Sequence, residues 1–323
     1  MSLVPKPPET LPNEQELMAT WDSKFDQPLL AVICLTYNQE SFIRDAIHGF
    51  LCQKTDFPFK VIIHDDASTD ETAKIVREYE DKYPNIVKCI YQERNLYSRG
   101  ISRHPYIEPH LDVKYIANCD GDDYWLDEYK LQKQVDYLQQ NEDCSLTYHA
   151  FINFDHEQQQ VLGIGKSPRT VTRVSRNLHL DLGPEEYAGK KVENVDRLLL
   201  YLYKQRGSVQ FIEEVGPAVY RQHRDGIWSQ RHELYRHIEA LRTRLYIERQ
   251  YARTRAELAE IRRDIAIRLK RLKEDCADAD AATELALGES WEQLWRRYGR
   301  YFPYFSSLWQ RQQRKLRSLL APK

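Results

Sequence analysis

Residues 29–38 read LLAVICLTYN, residues 60–68 read KVIIHDDAS, and residues 114–125 read KYIANCDGDDYW. Each opens on a short, mostly apolar run and breaks into polar or acidic residues. A continuous apolar run of this length is the mark of a strand buried on both faces, as in a parallel sheet. Helical spacing fills the gaps. Ser41 to Gln53 places Phe42, Ala46, Phe50 and Leu51 on one face. Ser68-Thr69-Asp70-Glu71 has the form of a capping box that opens a helix carrying Ile75, Tyr79 and Tyr83. Ile86 to Tyr91 is a third strand, Asp127 to Gln140 a helix with Leu131, Val135 and Leu138 inward, and Ser145 to Asn153 a fifth strand. Strands alternating with helices predict an α/β fold with a mostly parallel sheet flanked by helices.

In open sheets of this kind ligands bind beyond the carboxyl ends of the strands. The polar breaks therefore share one rim, which gathers Asp65, Asp66, Asp120, Asp122 and Asp123. Carboxylates that close raise one another's pKa unless a cation or hydrogen-bond donors intervene. Mg²⁺ or Mn²⁺ would accept their oxygens and keep positions open for phosphate. A turn or helix-cap role is the other reading for Asp65 and Asp70. For Asp120, Asp122 and Asp123, crowded around Gly121, a turn alone is too little.

Composition narrows the field. The chain has 323 residues, 41% of them hydrophobic and 30% charged, with a formal net charge of −2. That is enough apolar material for a core, and too little positive charge for a dedicated nucleic-acid binder. No apolar run reaches the ~18 residues of a membrane span. No basic-then-apolar leader opens the sequence, so export is not expected. Glycine-rich phosphate loops, a nucleophile elbow and a zincin motif are all missing, which removes P-loop, Rossmann, hydrolase and metalloprotease readings. Cys34, Cys52, Cys89, Cys119, Cys144 and Cys276 form no C-x-x-C pair. They read as small buried thiols.

The three acidic breaks, in this order and at these gaps, resemble family-2 glycosyltransferases of the GT-A fold, across about residues 29–229. The Gly-Asp-Asp-Tyr-Trp string points to the branch that builds bacterial surface polysaccharides. The resemblance implies that Thr36, Tyr37 and Asn38 touch the nucleoside and that Asp66 bonds the base. Asp122 would meet the ribose, or the metal through water. Asp123 would bind the metal, with Asp120 and His223 as further ligands. It implies Asp196 as the catalytic base, in the segment Glu193 to Leu199, with Glu193 as substitute, although Val195 stands where many members have Glu or Gly. Arg221 and Arg224 would neutralise the donor phosphates. The implied reaction is inverting transfer of one sugar from a nucleotide sugar, UDP favoured, to a saccharide or polyprenyl-diphosphate-linked saccharide. The absence of a Q-x-x-R-W motif argues against a processive synthase. A metal-dependent nucleotidyltransferase or phosphohydrolase is the alternative. The expected setting is the cytoplasm, at the inner face of the cytoplasmic membrane.

Outside that core, residues 1–27 predict a Pro-rich tail with a short helix near Glu14 to Trp21. The catalytic domain is expected over 28–228 and a helical extension over 229–323. Residues 163–190, poor in apolar residues, predict a flexible lid on the acceptor side. From Trp228 to Asp275 two apolar stripes change register at Tyr251, which suits a helical hairpin, a coiled coil with a stutter, or a helix packed on the catalytic domain. Self-association is one expected use. Between Glu289 and Lys323, Arg296, Arg297, Arg300, Arg311, Arg314, Lys315, Arg317 and Lys323 interleave with aromatics against only Glu289 and Glu292. That composition suits an anionic membrane surface.

Overall fold

The computed structural model describes residues 6–178, 180, 182–187, 189, 191, 192, 194–226 and 233–275. The chain begins with α1 (Glu14–Met18), closed at its start by a reciprocal capping box between Asn13 and Glu16. The α/β core follows as β1 (Leu30–Thr36), α2 (Ile43–Leu51), β2 (Phe59–Asp65), α3 (Thr72–Lys82) and β3 (Val87–Tyr91). A short α4 (His104–Ile107) leads to β4 (Tyr115–Asn118), α5 (Lys130–Gln140) and β5 (Cys144–Tyr148). Next come β6 (Phe151–Asp155), β7 (Gln160–Gly165), β8 (Val174–Arg176), α6 (Pro184–Tyr187), α7 (Val195–Lys204), β9 (Ser208–Phe211) and β10 (Ala218–Gln222).

Seven strands form the main sheet in the order β3-β2-β1-β4-β8-β5-β9, and three form a second sheet in the order β10-β6-β7. β1 pairs in parallel with β2, from Leu30 opposite Phe59 to Thr36 opposite Asp65, and with β4 on its other side. Those registers bring the ends of β1, β2 and β4 to one rim. Leu30, Ala31, Val32 and Cys34 are all buried, as their continuous apolar run requires. α2 turns Ile43, Ala46, Ile47, Phe50 and Leu51 onto the sheet, and α3 turns Ile75, Val76 and Tyr79. Each buried Ile, Val, Leu or Phe among them contributes about 1.5–3 kcal/mol. Gly49 lets α2 meet the Trp125 backbone, because a Cβ there would lie 2.9 Å from the Trp125 nitrogen. The five described cysteines are buried and free; Cys276 lies outside the described residues.

Three expectations are corrected. The run expected as one strand over 145–153 is two, β5 and β6, which belong to different sheets and break at His149 and Ala150. Residues 163–190 are not simply a lid. Val174–Arg176 runs antiparallel between β4 and β5, in the middle of the main sheet. Apolar content could not reveal it, since its pairing is fixed partly by Arg176, whose guanidinium donates to the carbonyls of Cys144, Leu138 and Asn141. Ser68 to Glu71 does not form the expected capping box; Asp70 Oδ1 instead accepts the Thr72 N–H at 3.0 Å. The Ser68 hydroxyl donates to Asp65, and α3 begins at Thr72.

A second compact unit holds α8 (Glu233–Gln250) and α9 (Arg255–Asp275). They pack as a hairpin, tied by Arg244 to Asp264 and by Arg262 Nε to Glu248 Oε1 at 2.7 Å. The hairpin is one of the forms that the stripe pattern allowed. The turn falls at Tyr251, where the stripe changes register. Thr254 and Glu257 cap α9 reciprocally: the Glu257 N–H donates to the Thr254 hydroxyl at 3.2 Å and the Thr254 N–H to the Glu257 carboxylate at 3.1 Å. The boundary expected at 228/229 and the basic aromatic stretch 289–323 lie outside the described residues.

Candidate active site

The first two polar breaks are laced together. The Asn38 N–H donates to the Ser68 hydroxyl at 2.9 Å, and Asn38 Oδ1 accepts from the Thr69 N–H at 2.8 Å. The Gln39 N–H donates to Thr72 Oγ1 at 2.7 Å and the Glu40 N–H to Asp70 at 3.1 Å. Asn38 and Ala67 hold left-handed backbone, with φ of 50° and 66°. Asparagine tolerates this, whereas the Cβ of alanine is strained there. Thr36 is buried and donates to Gln39 Oε1 at 2.8 Å. Of the three residues expected to face a nucleoside, Thr36 and Asn38 thus shape the loops. Tyr37 presents its ring to solvent, 44% exposed.

Asp66 is buried, and its two oxygens accept the N–H groups of Leu96 (2.7 Å) and Tyr97 (3.0 Å). It fixes the loop after β3. An ionised carboxylate has about four acceptor positions, so this does not exhaust it.

The third break carries the concentrated charge. Desolvation first, then the charges of Asp122 and Asp196, push Asp120 up to about 7. Desolvation, with Asp122 and Asp120, holds Asp123 well above the usual carboxylate range. Asp123 Oδ1 accepts the Arg221 N–H at 2.8 Å, which turns that oxygen toward β10. Asp122 Oδ2 lies 3.0 Å from His223 Nε2. His223 is buried against the Phe42 ring at 4.6 Å, and among the described residues its Nδ1 has no hydrogen-bond partner.

Arg221 is placed differently from the phosphate-facing role expected of it. Its side chain is 5% exposed and lies between the rings of Phe42 (4.9 Å) and Tyr124 (4.7 Å). Nη1 donates to the Asp122 carbonyl at 2.7 Å and Nη2 to Asp45 at 2.5 Å. It braces the acidic loop from within. The Arg224 N–H donates to Glu157 at 3.0 Å, and the residue lies at the surface.

Among the described residues no three His, Cys, Asp or Glu side chains gather closely enough to hold a metal ion between them. The expected set of Asp120, Asp123 and His223 is therefore not assembled, with Asp123 engaged by the Arg221 backbone. The donors that do meet are Asp122 and His223. They hydrogen-bond directly at 3.0 Å, and since two adjacent ligands on an octahedral ion with bonds of about 2.1 Å stand about 3 Å apart, the same separation is compatible with a divalent cation.

Asp196 lies in the first turn of α7. Arg173 Nη2 donates to Oδ1 at 2.7 Å, and the Thr170 hydroxyl to Oδ2 at 2.8 Å. Desolvation raises its pKa, but Arg173 and Thr170 outweigh that, and the carboxyl is held below its ordinary value. Asp196 is half-exposed while Arg173 is buried, so the base candidate faces solvent from a fixed support. Its charge reaches Asp120, which sets it beside the acidic loop. Glu193 lies outside the described residues. Arg173, Thr170 and Asp45 escape a reading of motifs, because each acts through a partner distant in sequence. Arg103, whose charge is felt by both Asp120 and His64, escapes it too. The basic spacing of Arg94, Arg99 and Arg103 after β3 was the available signal.

Comparison with known proteins bears on the family and the fold. Residues 31–186 match the family model described as glycosyl transferase family 2. An uncharacterized protein of Mycobacterium tuberculosis is 41% identical over 123 residues, 37% of this chain and 34% of the relative. The putative teichuronic acid biosynthesis glycosyltransferase TuaG of Bacillus subtilis is 31% identical over 125 residues, 39% of this chain and 47% of the relative. The chain thus spans a third to a half of the length of these curated relatives. The crystal structure of Staphylococcus aureus TarS 1–349 with UDP-GlcNAc superposes with a TM-score of 0.57 at 16% identity, covering 81% of this chain and 80% of that one. That likeness speaks to the fold, and the sequence match to the family. Residues 31–186 thus match glycosyl transferase family 2, and the chain folds as GT-A enzymes do.

Proposed function

We propose that the chain transfers one sugar from a nucleotide-sugar donor to a hydroxyl of a saccharide or lipid-linked saccharide, with inversion, in the assembly of a surface polysaccharide. The observation that carries this reading is Asp196, held ionised by Arg173 and Thr170 within electrostatic reach of the acidic loop. Asp196 takes the proton of the acceptor hydroxyl as that oxygen attacks the anomeric carbon. One base opposite the leaving diphosphate gives a single displacement, hence inversion. Arg173 stabilises the carboxylate before transfer and fixes the direction of its free lone pairs. Tyr37 offers a ring on which a nucleobase stacks. Asp122 and His223 would hold Mn²⁺ or Mg²⁺, which supplies charge balance for the departing diphosphate.

UDP as donor nucleotide is supported by the resemblance and by the ligand of TarS; surface-polymer acceptors are supported by TuaG, a putative teichuronic acid glycosyltransferase, and by TarS, a poly(ribitol-phosphate) N-acetylglucosaminyltransferase. No described helix is long and apolar enough to cross a membrane. Contact with a membrane-borne acceptor through residues 289–323, and pairing of chains through the α8–α9 hairpin, belong to the same proposal. The test incubates UDP-sugars with lipid-linked acceptors and follows UDP release and the labelled product. Wild type transfers sugar, EDTA abolishes it, Mn²⁺ restores it, and Asp196→Asn reduces kcat at least a hundredfold. Release of free sugar phosphate, or full activity of Asp196→Asn, refutes the reading.

A further inference from the structure

Two arginines flank the candidate base, and only one of them is engaged by it. Arg173 is bonded to Asp196. Arg169 is exposed, and among the described residues its guanidinium meets no carboxylate. It lies instead across two rings, with Cζ 4.3 Å from the Tyr220 centroid and 5.1 Å from that of Phe151. Those rings stand edge to face at 6.2 Å, on β10 and β6. The shelf depends on a glycine: a Cβ at Gly165, on β7 opposite Phe151, would come within 2.2 Å of the Phe151 ring. A guanidinium stacked this way has one face fixed and its N–H edge open, the geometry that takes a planar or tetrahedral oxyanion in a bidentate grip.

The position is as informative as the shape. The charge of Arg169 acts on Asp196 and on the Tyr220 phenol, and Tyr220 in turn feels Asp123, Asp122 and Asp120. Arg169 therefore stands near both the base and the acidic loop. The neighbouring cations are answered within the protein, Arg173 by Asp196 and Arg221 by Asp45. Arg169 is left with a fixed positive charge facing solvent, which concentrates anions at that spot.

We infer that Arg169, on the Phe151–Tyr220 shelf, is an oxyanion subsite of the acceptor, so that the acceptor carries a phosphate or a carboxylate close to its attacking hydroxyl. This rests on the reading of Asp196 as the base of a sugar transferase. The subsite selects an anionic acceptor and leaves donor binding untouched.

The experiment uses the full chain with Mn²⁺ and UDP at saturation, so that groups serving the donor diphosphate are occupied. Calorimetry then follows glycerol 3-phosphate and glucuronate, with glycerol and glucose as neutral controls. Wild type is expected to bind an anionic probe and neither neutral one. Arg169→Gln is expected to lose about tenfold in that affinity, Arg169→Lys less, and Gly165→Ala to lose affinity by displacing the shelf, with UDP affinity within twofold throughout. Preference for glycerol 3-phosphate assigns a phosphate-bearing acceptor, and preference for glucuronate a uronate. Equal anion affinity in wild type and Arg169→Gln overturns the proposal. So does binding of neither anion, or anion binding that UDP abolishes. If UDP itself fails to bind, the transferase reading falls, and the same titration without UDP still decides whether Arg169 binds anions.

Discussion

Asp45→Ala tests the brace beneath the acidic loop. The substitution removes the carboxylate 2.5 Å from Arg221 Nη2, in a pair whose side chains are 26% and 5% exposed. Two unit charges about 4 Å apart interact by roughly 4 kcal/mol at an effective dielectric of 20, and by about 1 in water. Asp45 is partly wetted and Arg221 is not, so the pair lies between these limits, near 2 kcal/mol. Arg221 keeps its bond to the Asp122 carbonyl and its two rings, and these temper the loss. For a domain of this size, about 2 kcal/mol lowers Tm by roughly 4–8 °C. Urea denaturation gives the free energy, and a double-mutant cycle with Arg221→Met isolates the pair. A coupling of about 2 kcal/mol is expected. Mn²⁺ affinity in the presence of UDP should fall several-fold, because Arg221 fixes the backbone from which Asp122 reaches His223. A coupling below about 0.5 kcal/mol, with unchanged Mn²⁺ affinity, would refute the idea that Arg221 works through this brace.

Arg173→Gln should move the acid limb of kcat/KM to higher pH, since the guanidinium holds the Asp196 carboxyl below its ordinary value; a pH–rate profile with an unmoved limb contradicts this. The sign for stability follows from linkage: a depressed carboxyl pKa favours the fold above the unfolded value near 3.9 and loses that contribution as pH falls through the folded value. The variant should thus lose stability at neutral pH, and its deficit should shrink in acid. Ala67→Gly should gain about 0.5–1 kcal/mol in urea melts by relieving the Cβ strain at φ 66°; a destabilised variant would show that Ala67 is not strained. His223→Ala should weaken Mn²⁺ binding at least tenfold by calorimetry while UDP binding without metal stays within twofold, and equal Mn²⁺ affinity would remove His223 from the donor pair.

The parallel half of the molecule is written in apolar runs, because strands buried on both faces leave little room for polar side chains except near their ends. β1 and β2 are legible for that reason. β8 is not: its three residues sit between two strands through backbone pairing and the reach of Arg176. The acidic rim was legible from the rule that loops after parallel strands share an edge. Its internal assignments were not. Whether Asp122 or Asp123 faces His223 depends on which carboxylate the Arg221 N–H captures, a contact 98 residues apart in sequence. Asp196 could be singled out by resemblance, yet the arginine that keeps it ionised lies just before β8, 23 residues away and with no motif of its own.

The place of β8 in the main sheet governs how the polypeptide matures as it leaves the ribosome. The four neighbouring strands β3, β2, β1 and β4 are complete once residue 118 has emerged. β5 follows at 144–148, yet both of its ladder partners, 174–176 and 208–211, have still to emerge. For that interval the nascent chain exposes a strand with two unsatisfied edges, the condition under which aggregation competes with folding. Translation rate across 149–211, and chaperone occupancy there, should therefore set the yield of active protein more than events anywhere earlier in synthesis.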